Sequence, residues 1–383
     1  MKRNPRIAVI GGGPGGLTLA RILQTRGISC TVFEGETSAL ARPQGGTLDL
    51  HPESGQHALR LAGLETQFLN VARYEDQGVK LCDPNGNVIF SEPSKPEDDR
   101  PEVDRTALRQ ILLDSLEPGV VKWGHKLQVV EPRADGAYDV VFQNGVRENF
   151  DLVVGADGTW SKVRPLVSDA KPVYSGVTFI DLSIDNVDEL YPQISELIGR
   201  GKMFALGNNK GLLCQRNGNA HIRVYAAVRV PEDWIATGGL DLSAPDRTRA
   251  DVWSLFDGWA PNLLELIDYS NDLIVPRQIH ALPVGHRWEN RPGITLIGDA
   301  AHVMSPFSGE GANLAMIDGA DLALALIEGS DWKVAVERFE KKMLPRAAEA
   351  AVGAAEGIDG AISERGLEDV VVQFQRHASE VER

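Results

Sequence analysis

The run RIAVIGGGPGGLTLARILQTRGISCTVFE, residues 6–34, decides the fold. Arg6 to Ile10 read as a buried strand, and the glycine turn GGGPGG follows at once. Leu17, Ala20, Ile22 and Leu23 then share one helical face until Gly27 stops the helix, and a second apolar strand ends on Glu34. This is a βαβ opening, with Gly11-x-Gly13-x-x-Gly16 at the turn where a dinucleotide fingerprint belongs. Gly11 permits the tight turn, Gly13 lets backbone amides approach a pyrophosphate at the positive helix end, and Gly16 lets the helix close on the strand. Glu34 stands about twenty residues on, where a carboxylate accepts hydrogen bonds from ribose hydroxyls. An exposed strand-end glutamate is the plainer alternative.

Outward from this unit, a helix is expected from Asp104, as its cap, to Leu116, with Leu108, Ile111, Leu112 and Leu116 at helical spacing. Residues 120–154 alternate as short strands, with Asp135-Gly136 and Asn144-Gly145 at the turns, and read as a three-stranded meander. Residues 171–290 are rich in strands of alternating polarity, followed by a helix near Arg247 to Trp259. The chain then returns to a buried strand, GITLIG, and closes with helices around Ala312–Glu328 and from Trp332 onward. A doubly wound α/β architecture follows, with a discontinuous dinucleotide-binding domain over 1–170 and 291–328. An interleaved β-sheet substrate domain is expected over 171–290, and a C-terminal helical segment over 329–383.

The chain has 383 residues, which suits one large or two interlocked domains. Its net charge of −15 repels a nucleic-acid backbone and an anionic membrane surface, so neither is expected as a partner. Cys30, Cys82 and Cys214 are scattered, with no C-x-x-C pair and no histidine pattern; no metal is expected, and the cysteines read as reduced core or strand residues. Only a few polar residues precede the first strand, which leaves no room for a signal peptide, and no later run approaches ~18 apolar residues. A monomeric cytoplasmic protein is the expectation.

Two later segments separate FAD from NAD, whose ADP halves the fold grips alike. Residues 151–164, DLVVGADGTWSKVR, resemble the Asp-Gly motif of the FAD-dependent aromatic-ring hydroxylases of the p-hydroxybenzoate hydroxylase type. Residues 293–313, GITLIGDAAHVMSPFSGEGAN, resemble that family's Gly-Asp motif with its proline loop and helix start. The resemblance implies an FAD-binding Rossmann-like domain, noncovalent FAD, and NADPH or NADH as a transient reductant. Asp299, at a strand end, is placed to accept from the ribityl chain, and Gly309 to Asn313 open a helix whose amides face the flavin N1/O2 edge. In the family the Asp-Gly segment serves FAD and nicotinamide, which would involve Asp157 and Arg164; Arg164 fits a structural salt bridge equally well. His302 reads as a brace for its loop. No second glycine fingerprint, halogenase signature W-x-W-x-I-P or cysteine redox pair is present.

PQGGTLDLHPESGQHALRLAGL (43–64) and PEVDRTALRQILLDSL (101–116) resemble the tetracycline destructases, flavin monooxygenases that inactivate tetracyclines and so confer resistance. Carried over residue by residue, the resemblance implies cofactor contacts at Glu34, Asp49, Arg105, Arg109, Asp299, Pro306 and Gly311. Arg105 and Arg109, four apart, share a helix face and suit an anionic pyrophosphate or flavin edge, unless both are simply solvated. Gly35 replaces an arginine of those enzymes, and Glu310 replaces a glutamine. Asp181 and Arg223 fall at their substrate-binding positions, with Pro306 and Phe307 beside the acceptor, though each of the first two also suits an ordinary sheet position.

The implied activity is a monooxygenase consuming NAD(P)H and O2 that hydroxylates a polycyclic or phenolic small molecule through a flavin C4a-hydroperoxide. No side chain is assigned as a catalytic nucleophile, because the flavin carries the chemistry. An alkene-reducing flavoenzyme and a ligand-sequestering flavoprotein remain alternatives. Because the expected contacts are hydrogen bonds and helix amides, acid precipitation of the yellow protein should release free FAD; flavin that stays on the denatured chain would contradict this.

Overall fold

The computed structural model describes residues 4–41 and 45–381, so Pro43 and Gln44 of the PQGG run lie outside it. The chain divides into two compact units. The first comprises Met1–Ala72, Arg105–Val173 and His280–Ala355. Its centre is a five-stranded parallel sheet in the order Ile294–Leu296, Leu152–Gly155, Ile7–Ile10, Cys30–Phe33, Val121–Lys122. Two helices, Pro14–Thr25 and Gly311–Glu328, pack backbone to backbone: a Cβ at Gly15 would fall 2.5 Å from the Ala315 carbonyl oxygen, and one at Gly319 would fall 2.4 Å from that of Gly15. The expected helix appears as Arg105–Asp114.

The meander is narrower than expected: only Leu127–Pro132, Tyr138–Phe142 and Arg147–Phe150 form the antiparallel sheet. Val121–Lys122 and Leu152–Gly155 instead join the parallel sheet. Burial explains the second case, since every residue of Leu152–Gly155 is buried whereas Tyr138–Phe142 alternates; Val121–Lys122 is a two-residue edge strand, half-buried and exposed.

The second unit comprises Arg73–Asp104, Tyr174–Ile279 and Glu356–Arg383. Its seven-stranded sheet runs Val275–Ala281, Val173–Ile184, Ile222–Arg229, Lys210–Arg216, Gly201–Gly207, Gly78–Cys82, Val88–Glu92. One face, carrying Ile180, Leu182, Val224, Ala226, Leu212 and Met203, is sealed with Val252, Phe256, Leu263 and Ile267 of the helices Pro245–Leu255 and Pro261–Asp268 and the turn between them. The first of these helices was expected; the second was not.

Apart from a three-residue shift of the boundary at 170, the units differ from the sequence-based division in three places. Residues 73–104 join the sheet unit, because Gly78–Cys82 pairs in parallel with Gly201–Gly207. Residues 280–290 go to the first unit, and the C-terminal segment is split at Ala355, within the helix Trp332–Ala361. Asp104 turns its carboxylate to Arg73 Nη1 at 3.0 Å and the Gly218 amide at 3.2 Å. All three cysteines are free, and no helix of the described residues is long and apolar enough to cross a membrane.

The helix contact at Gly15 and Gly319 has no slack, because the atoms a side chain would meet are backbone. Gly319→Ala should cost about 1–3 kcal/mol, as overpacking does, and lower the urea midpoint with an unchanged slope. An unaltered midpoint would mean that the two helices part freely.

Candidate cofactor site

The three fingerprint glycines serve different ends. Gly11 has φ +113°, and a Cβ there would fall 2.1 Å from the Ala156 carbonyl oxygen, so the turn presses directly on the strand carrying the Asp-Gly motif. At Gly16 a Cβ would fall 2.4 Å from the Gly11 carbonyl oxygen. At Gly13 it would meet nothing within 4 Å. Gly13 begins the helix Pro14–Thr25, whose first turn has no side-chain cap. Open space before uncapped amides is what a pyrophosphate needs.

Glu34 sits beside this turn. Its Oε2 accepts from the Gly12 amide at 2.8 Å and its Oε1 from the Glu36 amide at 3.0 Å. Each oxygen retains a lone pair for a ribose hydroxyl. Arg109, only 5 % exposed, lies behind: it donates to the Gly12 carbonyl at 3.1 Å, to Glu36 Oε2 at 3.2 Å and to the Ala39 carbonyl at 3.2 Å. Its Nη2 is 3.6 Å from Glu34 Oε2, and its guanidinium lies 5.5 Å from the Trp123 ring centroid. The expected arginine pair therefore separates. Arg109 is taken up by protein partners, while Arg105, in the first turn, is exposed; its amide donates to the Gly46 carbonyl at 3.2 Å, and its side chain makes no hydrogen bond or ion pair among the described residues.

The proline loop Pro306–Ser308 leads through Gly309, at φ +69°, into the helix Gly311–Glu328. Pro306 is exposed and Phe307 half-buried. No side chain caps the helix, and a Cβ at Gly311 would meet nothing within 4 Å. Asn313, expected as a cofactor contact, is fully buried and saturated by the protein. Its Nδ2 donates to the Asp49 carbonyl at 2.9 Å, and its Oδ1 accepts from the His51 amide at 3.0 Å, Ser54 Oγ at 3.2 Å and the Gly55 amide at 3.2 Å. It therefore fixes the LDLH strand end against the helix start, which leaves its backbone amide rather than its side chain for a ligand. The Asp49 carboxylate lies 3.5 Å from where a Gly309 Cβ would sit.

The Asp-Gly and Gly-Asp motifs are tied together by Arg164. Its Nε donates to the Ala300 carbonyl at 2.8 Å, and its Nη2 to the carbonyls of Thr159 at 2.9 Å and Asp299 at 3.1 Å. Asp157 turns inward: Oδ2 accepts from the Lys162 amide at 2.7 Å, and burial pushes its carboxyl above the ordinary range. The Asp299 side chain is exposed and takes no hydrogen bond among the described residues. Its loop is held from behind by Asp318, a fully buried residue invisible to motif reading. Asp318 Oδ2 accepts from the Gly298 amide at 3.0 Å and pairs with His302 Nε2 at 2.6 Å, while Oδ1 pairs with Arg346 at 2.8 Å. His302 braces the loop, as expected.

In the second unit, Asp181 and Arg223 come together on adjacent strands, on the sheet face opposite its core. Asp181 Oδ2 lies 2.6 Å from Arg277 Nε and 3.4 Å from Arg223 Nη1. Asp181 Oδ1 and Arg223 Nε are buried with no hydrogen-bond partner among the described residues. Phe179 and Tyr225 pair on the same face, with centroids 5.5 Å apart. Arg277 had no signal in the sequence beyond its charge.

The first unit thus offers two uncapped helix starts, open space at Gly13 and Gly311, and carboxylates of Glu34 and Asp299 with spare lone pairs, which fits FAD. Glu34→Ala should weaken FAD retention roughly ten- to a hundredfold, the worth of a charged hydrogen bond of ~1.5–3 kcal/mol. FAD titration of the apoprotein reads this, and equal affinity in a folded variant would return Glu34 to a bracing role alone.

The FAD binding domain family matches residues 5–203 and 283–350. Monooxygenase penA of Penicillium thymicola is 34% identical over 365 residues, covering 83% of this chain and 84% of that protein. The 3-amino-4-hydroxybenzoate 2-monooxygenase PtmB3 of Streptomyces platensis is 32% identical over 356 residues, covering 90% and 85%. The crystal structure of tetracycline destructase Tet(51) shares the fold with a TM-score of 0.72 at 22% identity, covering 98% of this chain and 97% of that one. The chain belongs to the FAD binding domain family and is an FAD-dependent, NAD(P)H-consuming monooxygenase.

Proposed function

We propose that the enzyme hydroxylates a phenolic or polycyclic small molecule bearing an acidic or hydrogen-bonding group, and that Asp181 and Arg223 bind it. The observation that carries this reading is the half-satisfied Asp181–Arg223–Arg277 cluster. A buried carboxylate oxygen and a buried guanidinium nitrogen without partners are costly unless a ligand completes them. The 32% identical relative named for an aminohydroxybenzoate supports an aromatic acceptor. The GGTLDLH and DRTALRQ segments favour a second, narrower reading in which tetracyclines are accepted, although the 22% likeness to Tet(51) speaks only to fold.

Bound FAD would supply the redox chemistry, in which NAD(P)H provides a hydride and one atom of O2 enters the acceptor while the other leaves as water. The chain positions the reactants. On this proposal Glu34 accepts from the ribose, the Gly13 turn receives the pyrophosphate and Asp299 accepts from the ribityl chain. The first amides of Gly311–Glu328 favour negative charge on the flavin ring. Asp49, Asp157, Arg105, Arg109, Pro306, Phe307, Gly309 and Asn313 shape and hold these groups. Every cofactor-side residue comes from one unit of one chain, which supports a monomer, and the demand for NAD(P)H supports a cytoplasmic setting.

Aerobic incubation with NADPH or NADH and a panel of aminohydroxybenzoates, other phenols and tetracyclines should add one oxygen atom to at least one compound, read by mass spectrometry. The gain should vanish without O2. Formation of H2O2 alone across the panel would refute the acceptor class. Asp181→Asn should raise KM for the true acceptor about tenfold or more while leaving FAD affinity alone, as loss of a buried charged hydrogen bond does. Unchanged KM would remove Asp181 from the acceptor site.

A further inference from the structure

His51 is buried, yet its Nδ1 makes no hydrogen bond among the described residues. Three carboxylates surround the ring. Glu310 Oε1 lies 3.5 Å and Glu53 Oε1 3.6 Å from Nδ1, and Asp49 Oδ2 lies 3.7 Å from Nε2. Of the three, only Glu310 stands at the start of the 18-residue helix Gly311–Glu328: it immediately precedes Gly311, and no side chain caps the first turn. Glu53 is mostly exposed, and Asp49 ends its strand near Gly309. A carboxylate at a helix N-terminus is attracted to the amide ends and offsets part of their positive potential.

We propose that Glu310, held against His51, lowers the reduction potential of bound FAD by weakening the positive helix end that favours the reduced cofactor. The inference rests on the FAD reading of this site. Two-electron reduction by hydride transfer from NAD(P)H leaves the flavin with one more negative charge than it had when oxidised. Whatever charge stands at the helix start therefore acts on the reduced form more than on the oxidised one. A carboxylate there makes the reduced cofactor a stronger reductant toward O2 and demands more driving force from NAD(P)H. Glutamine, the residue that the destructase resemblance places here, is the neutral isostere of Glu310 and isolates the charge.

The test is a dye-equilibrium titration of the FAD-loaded protein, which gives the midpoint potential without any turnover. Glu310→Gln should raise the potential by about 30 mV, equivalent to a tenfold shift in the ratio of dissociation constants for oxidised and reduced FAD. Glu310→Ala should match it, because charge is the variable. Glu53→Gln, which removes a carboxylate from the same histidine but not from the helix start, should leave the potential in place. A ratio altered by less than about twofold in both Glu310 variants overturns the proposal, as does an equal shift in Glu53→Gln. Failure of the wild-type chain to take up FAD would instead sink the site reading beneath it.

Discussion

Backbone lies on backbone where the glycine turn meets the Asp-Gly strand and where the two motif-bearing helices cross, and the site depends on that closeness. The Gly11 turn rests on the Ala156 carbonyl, and Gly15 and Gly319 let the helices Pro14–Thr25 and Gly311–Glu328 touch without a side chain between them. Each contact joins residues more than a hundred positions apart in sequence. Together they bring the glycine turn, the Asp-Gly motif and the proline-loop helix to the carboxyl end of the parallel strands, where ligands of open α/β folds bind. Were any of these glycines given a Cβ, a backbone would have to shift and the helix starts would lose their alignment.

Behind that end the loop bearing Asp299 is held by charge as well as by packing. Burial is the largest influence on His302 and opposes its protonation, but the Asp318 carboxylate at 2.6 Å overrides it, so the imidazole binds its proton more tightly than usual. Burial likewise pushes Asp318 upward, yet His302 and Arg346 together hold it below its ordinary value. The signs are complementary. The His302 contribution to stability is complete below the ordinary histidine value of 6.5 and fades only as pH rises through the higher folded value. The Asp318 contribution is present above 3.8 and fades as pH falls through the lower folded value. Between 3.8 and 6.5 both act in full, so the loop is fixed most firmly in mildly acid solution.

The cofactor half of the chain was legible because its signals are local. Gly11, Gly13, Gly16, Glu34 and Asp299 fall within short motifs whose spacing mirrors a strand, a turn and a helix start, and the structure places each at such an end. What escaped reading depends on distant pairing. Gly78–Cys82 belongs with Gly201–Gly207 only through a parallel register that no local pattern encodes. Asp318 and Arg346 lie 28 residues apart on helices whose sequences show only helical periodicity. Asp181 and Arg223 were singled out separately by position; their pairing, and the addition of Arg277, required the strand register.

Which polar groups are already satisfied by the protein divides the cofactor site into two sets, and residue type does not. Arg109 and Asn313 are residue types that commonly address a phosphate or a flavin edge, yet their side chains are engaged by Glu36, the Gly12 and Ala39 carbonyls, the Asp49 carbonyl and the His51 amide. A buried group with its hydrogen bonds made gains little from a ligand and loses much if pulled away. On the proposed reading such residues would act on the cofactor only through what they fix: Arg109 holds the Glu34 turn, and Asn313 holds the strand end at Asp49. The groups left for a ligand are of another kind, namely open amides at Gly13 and Gly311, the spare lone pairs of Glu34 and the exposed carboxylate of Asp299. Losing a member of this set removes a contact and should leave the loops in place, whereas losing a bracing residue displaces several contacts at once.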